Sequence, residues 1–411
     1  MMKIKYDCLK WACYTSNVSM SVVACLSPLL FVTFRTQYGI SYTKLGFLVL
    51  INFITQLLMD LLLSFIPHKF NIEKTVRLIP VLVTIGLFIY ALFPFLFPNN
   101  VYLGLLIGTV VFSASSGFNE VLANPVILSI PSDNPDKELS KLHSTYAWGI
   151  VGVIIVGTLF LQGVGNDNWQ WLALLFALVP IVSIVLFCCT GMPQIETAEK
   201  AIGILNFMKN KNLWFCVAAI FFGGAAEVTM TQWCSAYLEQ SLAIPKVLGD
   251  VLGLSLFAVA LGLGRTLYAI RGKNVSKVLI LGSIGAFLCY ITAALTNIVV
   301  IGLLACVFTG FCVSMLWPGS ILISSEKFPT GGVFVFAMMA AGGDLGAAIG
   351  PQLLGVVTDC SIASAKVGEL AIKCSITVEH LGMKIGILSG AVFPLLAIPF
   401  MLTISRNKTK K

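Results

Sequence analysis

Hydrophobic residues follow one another in long runs that are broken by short polar stretches. A helical run of about 20 apolar residues crosses the ~30 Å hydrocarbon core of a bilayer. Twelve such runs recur along the chain. They cover residues 10–34, 44–66, 78–97, 101–130, 142–163, 169–190, 212–239, 247–270, 277–296, 298–323, 331–358 and 383–405. The pattern therefore predicts an all-α polytopic membrane protein with 12 transmembrane helices.

Composition and charge agree with this prediction. Of the 411 residues, 58% are hydrophobic and 11% are charged, whereas about a quarter of the residues of a soluble globular protein are charged. The net charge of +8 does not indicate nucleic-acid binding, because Lys and Arg concentrate in the segments on the side of the N-terminus. By the positive-inside rule both termini are cytoplasmic. We expect a monomer whose spans face the lipid bilayer, in the plasma (inner) membrane.

The spans divide into two groups of six. A polar break at 191–211 carries charges of both signs and separates a bundle at 1–190 from a second bundle at 212–411. The segment NPVILSIPSDNP, from Asn124, resembles WPGSILISSEKFP, from Trp317, half a chain later. Other short matches give the same displacement, which places corresponding spans in the same orientation. Such a parallel repeat is typical of the major facilitator fold, in which substrate binds near the bilayer midplane.

Three short segments resemble this superfamily or one of its families. The segment SFIPHKFNIEK, beginning at Ser64, resembles the loop between spans 2 and 3, usually G-x-L-x-D-R-x-G-R-R, with His68 in the place of the Asp. EVLANP, from Glu120, and KLHSTYAWG, from Lys141, resemble spans 4 and 5 of the fucose permease family. The resemblance implies proton-coupled sugar import with Glu120 as a protonation site.

The resemblance is incomplete in span 1. The fucose permease family carries a second acidic residue there, and this sequence has none. Asn17 and Ser21 are the polar residues available at that place.

Polar side chains recur at helical spacing in three of the spans. The stripes comprise Asn52, Gln56, Asp60 and Ser64; Ser113, Ser116, Gly117, Glu120 and Asn124; and Gly223, Glu227, Thr231 and Ser235. Lipid cannot satisfy such stripes, so they face either a neighbouring helix or a water-filled cavity. The sequence favours helix packing for the small residues and a cavity for the carboxylates, with both alternatives open.

Glu120 is the candidate for proton coupling, because a carboxyl group shielded from water can exist in the neutral form and exchange a proton as access alternates. Substrate binding alone and a structural ion pair are the alternatives. His143, in the next span, is a candidate relay, since imidazole titrates near neutral pH. Asp60 is a further candidate for proton coupling. It is also a candidate for gating together with Arg265. The two residues either contact one another across the cleft, or each pairs with a partner within its own half.

Sugar recognition needs amide and carboxylate partners together with an aromatic platform. Candidates for substrate binding are Gln56, Asn124, Tyr146, Trp148, Glu227, Gln232, Trp233 and Trp317. Asp344 lies among Gly and Ala in span 11, where helix packing and a cavity-gating role are equally open.

Other function classes fit poorly. No nucleophile elbow, HExxH or phosphate-binding loop is present, so the chain is not predicted to be an enzyme. The twelve Cys show no metal-ligand spacing, so no metal or cofactor is expected apart from a coupling ion, H⁺ or Na⁺. Whether Cys360 and Cys374 form a disulfide bond stays open. We expect a secondary transporter of a sugar or glycoside by proton symport; a sodium-coupled transporter and a proton-coupled exporter of drugs or lipids are the rivals.

Overall fold

The computed structural model describes residues 2–65, 70–131, 135–193, 209–271, 274–328 and 332–406, and every regular element within them is a helix. Eleven helices are long and apolar enough to cross a membrane, and a pair bent by 44°, Tyr6–Leu29 with Phe31–Tyr38, supplies a twelfth span. Each of the twelve predicted runs coincides with one of these spans. The prediction of an all-α polytopic chain is confirmed.

The described helices cluster into two compact units. One unit comprises Met1–Gly39 and Ile51–Glu199, and the other comprises Ile40–Leu50 and Lys200–Lys411. Most of the predicted linker, residues 194–208, lies outside the described residues. Residues 40–50, which precede the predicted boundary, cluster with the second unit, and the division into bundles at 1–190 and 212–411 stays a prediction.

The first unit contains the helices that precede the linker, and α3 enters it at Ile51. Its helices are α1 (Met2–Leu29), α2 (Phe31–Tyr38), α3 (Tyr42–Phe65), α4 (Ile72–Leu96), α5 (Val101–Leu128), α6 (Pro135–Val164), α7 (Trp169–Phe176) and α8 (Leu178–Cys188). One end of its core is aromatic: the rings of Phe34, Tyr90 and Trp169 are completely buried and meet at 4.9–6.1 Å. Edge-on contacts of this kind add to the burial of apolar area.

The second unit contains the helices that follow the linker. They are α9 (Lys211–Leu242), α10 (Lys246–Leu248), α11 (Leu256–Arg271), α12 (Val275–Leu295), α13 (Val299–Val313), α14 (Leu316–Lys327), α15 (Gly332–Ile362), α16 (Ala365–Lys373), α17 (Val378–Gly390) and α18 (Val392–Arg406). A π-helical turn, Gly249–Ser255, connects α10 to α11. Helices α9 and α15 approach so closely that a Cβ atom on Gly346 would lie 2.0 Å from the carbonyl oxygen of Phe221. Small residues permit such helix contacts in membranes.

The third span of each unit begins with the same cap. The side-chain oxygen of Asn71 accepts a hydrogen bond from the Lys74 amide at 3.0 Å, and that of Asn274 accepts one from the Lys277 amide at 3.1 Å. Asn at this position satisfies an amide that the helix leaves without a partner. The shared cap is the feature expected if the two halves repeat one another.

The first turns of α3 are docked within the second unit. The carboxylate of Asp359 accepts hydrogen bonds from the amides of Tyr42, at 3.2 Å, and Thr43, at 2.6 Å. The ring of Tyr42 is completely buried and lies 5.8 Å from that of Trp233. Gly355 packs directly on the Tyr42 carbonyl. A carboxylate at a helix N-terminus is stabilised by the free amides and by the helix dipole.

Candidate functional site

Three helices of the first unit are joined by a buried network of amide and hydroxyl groups. The Ser16 hydroxyl donates to the Asn119 side-chain oxygen at 2.8 Å, and the Asn119 amide donates to the Asn17 side-chain oxygen at 2.9 Å. The Asn17 amide in turn donates to the carbonyl of Leu142 at 2.7 Å. The place where the resemblance implies a second acid is therefore occupied by an amide that is already bonded.

Glu120 follows Asn119 on α5, and its side chain is exposed. It lies eight residues before the end of the helix at Leu128, about 12 Å from it at 1.5 Å per residue. No hydrogen bond or ion pair joins Glu120 to the part of the chain that the structure describes. Asn124, one turn further along α5, is half-buried. The region around Glu120 thus combines an accessible carboxylate with a neutral polar network.

The polar stripes of α3 and α5 face one another over part of their length. The Ser113 hydroxyl donates to the Asn52 side-chain oxygen at 2.5 Å, and a Cβ atom on Gly117 would lie 2.7 Å from the Gln56 carbonyl. Gln56 and Asp60 are each only 9% exposed. In this part of the stripes the side chains pack one helix against the other.

An ion pair occupies the corresponding region of the second unit. The Arg265 guanidinium on α11 donates to the Glu227 carboxylate on α9 at 3.2 Å, and to the carbonyl of Ser314 at 3.0 Å. The Arg265 side chain is 45% exposed and the Glu227 side chain 15%. Of the two arrangements predicted for Arg265, the structure shows a pair within its own half. Asp60 lies in the first unit, in the packed α3–α5 contact.

Trp317 lies one turn from this ion pair. Its six-membered ring is inserted between Gly224 on α9 and Gly343 on α15, where a Cβ atom would come within 2.8 Å of the ring. Gly224 precedes Glu227 by one turn, and Ser314 precedes Trp317 by one turn. The half-buried indole therefore lies on the turn next to the carboxylate and the guanidinium, and these three groups are together called the second-unit layer.

Three other predicted residues of the second unit are buried. Trp233 has no exposed surface, and its indole N–H donates to the Pro351 carbonyl at 3.0 Å. Gln232 is 6% exposed and Asp344 4%. These side chains contribute to packing in this structure, and a substrate contact would require them to be uncovered.

The predicted residues of α6 divide between two faces of the helix. The backbone carbonyl of Tyr146 accepts a hydrogen bond from the Ser21 hydroxyl at 2.8 Å, and its side chain is half-buried. Trp148 is 74% exposed and lines a groove that also contains Trp11. The side chain of His143 lies outside the described residues, so its role as a relay stays a prediction.

Sequence reasoning missed two charged clusters. Glu138 accepts hydrogen bonds from Tyr14 and Lys141 and lies 3.3 Å from the Lys10 ammonium. Burial alone would raise the pKa of the Glu138 carboxyl, but these donors outweigh it and lower that pKa below its ordinary value. Helix spacing could have indicated only the Glu138–Lys141 pair, which is separated by three residues.

The second missed cluster surrounds Asp250, which is completely buried at the π-helical turn. Its carboxylate accepts a hydrogen bond from the Ser235 hydroxyl and lies 3.6 Å from the Lys246 ammonium.

Among the described residues, no group of three or more His, Cys, Asp or Glu is placed to hold a metal ion. Cys360 and Cys374 are free and exposed.

Comparison with known proteins shows which family shares this architecture. The chain matches the sequence model of the Major Facilitator Superfamily over residues 13–351. No curated protein matches the chain. One similar crystal structure is a bacterial homologue of the human lysosomal transporter Spinster, with a TM-score of 0.75, 16% identity, and coverage of 98% of this chain and 96% of that chain.

Two sugar transporters are also similar in structure. The D-xylose-proton symporter has a TM-score of 0.73 and 13% identity, with 97% of each chain covered. The fucose:proton symporter of E. coli, crystallised as a point variant, has a TM-score of 0.57 and 16% identity, over 98% of this chain and 99% of that chain. At these identities the likeness establishes a shared fold. With the family match over most of its length, the chain belongs to the Major Facilitator Superfamily and is a transporter rather than an enzyme.

Proposed function

We propose that this transporter moves a sugar or glycoside by proton symport across the plasma membrane, as a monomer with both termini in the cytoplasm. Glu120 carries the coupled proton in this proposal. The layer of Glu227, Arg265 and Trp317 binds the substrate. The observation that carries the proposal is the exposed carboxylate of Glu120 within a membrane-spanning helix.

An ionised carboxylate at that depth is unstable in hydrocarbon. Insertion scales assign roughly 2.5–3.5 kcal/mol to an ionised acid at the centre of a membrane helix. Glu120 therefore either faces a water-filled space or binds a proton. A carrier that exposes one carboxyl group to each side of the membrane in turn needs both states. The group is ionised where it faces water and protonated where it does not. The neighbouring Asn17–Asn119 network consists of neutral groups bonded to one another, so it neither neutralises Glu120 nor competes for its proton.

The second-unit layer offers the chemical groups that a neutral polyol needs. The guanidinium of Arg265 donates hydrogen bonds, the carboxylate of Glu227 accepts them, and the indole of Trp317 supplies an apolar surface. Because Glu227 and Arg265 neutralise one another, the layer favours an uncharged solute. An exporter of apolar drugs or lipids is disfavoured, since apolar cargo would displace water from the Arg265 guanidinium, whose side chain is 45% exposed, without replacing its hydrogen bonds.

The proposal is tested by separating accumulation from exchange. Glu120→Gln keeps the size of the side chain but cannot carry a proton. We expect this variant to lose uphill uptake of the sugar while it retains exchange of internal for external sugar, because exchange requires no net proton movement. Glu326→Gln, which removes an exposed carboxyl outside the apolar spans, is the matched control and should accumulate sugar normally. Retained accumulation in Glu120→Gln would refute the assignment of the proton.

A further inference from the structure

An open apolar groove runs along the first unit, outside the candidate site. It has a volume of about 730 Å³. Residues of α1, α6, α7 and α8 line it, and α1 packs against both α6 and α8. The residues that line its apolar part include Trp11, Val18, Trp148, Val156, Leu175 and Val179.

The groove and the amide network lie on different faces of α1. Trp11, Tyr14 and Val18 are one helical face, since they are separated by three and four residues. At 100° per residue, Ser16 of the amide network lies about 170° around the helix from the centre of that face, and Asn17 lies about 90° from it. The groove is therefore on a different face of α1 from the network beside Glu120.

The groove has the depth of one bilayer leaflet. Its lining on α6 extends from Lys141 to Val156, a rise of about 22 Å, and one leaflet including its headgroup region is about 20–22 Å thick. Lys141 lies just before the apolar span, which begins at Ser144. A charged group at one end is thus followed by a mainly apolar groove along the membrane-spanning part of α6.

The charges at the end of the groove favour an anion. The ammonium groups of Lys10 and Lys141 lie 3.3 and 3.1 Å from the two oxygens of the same carboxylate, Glu138. Within this cluster of described side chains two cations share one anion, which leaves one positive charge in excess; the exposed carboxylate of Asp7 lies one turn before Lys10 on α1. The Lys141 side chain is 51% exposed and can approach a phosphate without losing Glu138.

We propose that the groove binds an anionic phospholipid, with its phosphate beside Lys141 and one acyl chain between Trp11 and Trp148. The two indoles are 61% and 74% exposed, which leaves a large apolar area for the chain. Tryptophan is favoured at the level of the lipid headgroups. The positive charge of the Lys10–Glu138–Lys141 cluster suits the phosphate of a phospholipid. The apolar wall and the depth of one leaflet suit its acyl chain.

Quenching of tryptophan fluorescence by brominated lipids tests the proposal. The purified protein is reconstituted in phosphatidylcholine, which is replaced stepwise by brominated phosphatidylglycerol or by brominated phosphatidylcholine. The signal of Trp148 is the difference between the wild-type protein and Trp148→Phe. We expect that half-maximal quenching of Trp148 needs a roughly fivefold lower mole fraction of brominated phosphatidylglycerol than of brominated phosphatidylcholine. One lysine near a membrane surface contributes about 1 kcal/mol to the binding of an anionic lipid, which corresponds to this factor.

Variants and a second tryptophan supply the controls. Lys141→Gln should abolish the difference between the two lipids, whereas Lys141→Arg keeps the charge and should preserve it. Trp171 is 57% exposed and does not line the groove, so its signal, obtained from Trp171→Phe, should show no preference.

Three results would overturn the proposal: equal quenching of Trp148 by both lipids, a preference that survives Lys141→Gln, or the same preference at Trp171. Should Lys141→Gln not fold, the comparison of the two lipids with the wild type and Lys141→Arg still decides, because both must show the preference.

Discussion

Removal of the Asp359 carboxylate should release the first turn of α3 from the second unit. In Asp359→Ala the amides of Tyr42 and Thr43 lose the acceptors that lie 3.2 and 2.6 Å away. Loss of an N-terminal cap costs about 1 kcal/mol, and hydrogen bonds to a charged group are worth about 1.5–3 kcal/mol each. Since water can reach a half-buried site and replace part of this interaction, we expect a net loss of about 2 kcal/mol.

Hydrogen exchange of the purified protein measures this loss locally. A loss of about 2 kcal/mol should accelerate amide hydrogen exchange at residues 42–46 about 30-fold. The exchange rates of the amides in α12 should stay unchanged. Asp359→Asn retains one acceptor oxygen and should lie between the wild type and Asp359→Ala. Glu369→Ala removes an exposed carboxyl of the same unit and should have no effect at residues 42–46. Unchanged exchange in Asp359→Ala would show that the carboxylate does not hold α3.

Three further predictions concern stability. Gly346→Val should cost at least about 3 kcal/mol and abolish the monodisperse peak in size-exclusion chromatography, because its Cβ atom meets backbone; Gly262→Val, where that space is open, should behave as wild type. Arg265→Gln should cost about 1–3 kcal/mol and lower the thermal midpoint, since it leaves Glu227 unpaired; Glu227→Gln in the same chain should recover part of the loss. The lowered pKa of Glu138 stabilises the fold above the ordinary carboxyl pKa of about 4.3 and loses this effect as pH falls through the lower value. Glu138→Gln should therefore lower the thermal midpoint at pH 7, and this deficit should shrink below about pH 4.

The twelve spans could be predicted because a membrane helix must satisfy its backbone internally and be apolar over a fixed length. Both constraints are local, so the sequence displays them directly. The end of α1 is an instructive exception. One apolar run at 10–34 becomes a helix pair that bends by 44° near Pro28, and its continuation to Tyr38 could not be foreseen from hydropathy alone.

The candidate site was less accessible to prediction, because a polar stripe does not identify what it faces. Asn52 and Asp60 share one stripe with ordinary helical spacing, and the structure packs it against α5. Glu120 and Ser113 share another stripe, yet one is exposed and the other buried. The burial of Trp233 depends on α15 and on the first turns of α3, which are far away in sequence.

The role of Asp359 illustrates the same limit. It is a single acidic residue near the end of a predicted span, and its partners are backbone amides that carry no sequence signature. Only the assembled fold brings the carboxylate to the start of a helix more than 300 residues earlier in the chain.

Proton symport of a sugar through Glu120 can be followed directly by recording the external pH. Cells that express the protein are de-energised and suspended in a lightly buffered medium, and hexoses, pentoses and glycosides are added one at a time. We expect that one sugar makes the medium alkaline, and that Glu120→Gln, at equal surface expression, abolishes the change. No pH change with any sugar, despite verified expression of the wild-type protein, would contradict proton symport and favour sodium coupling or export.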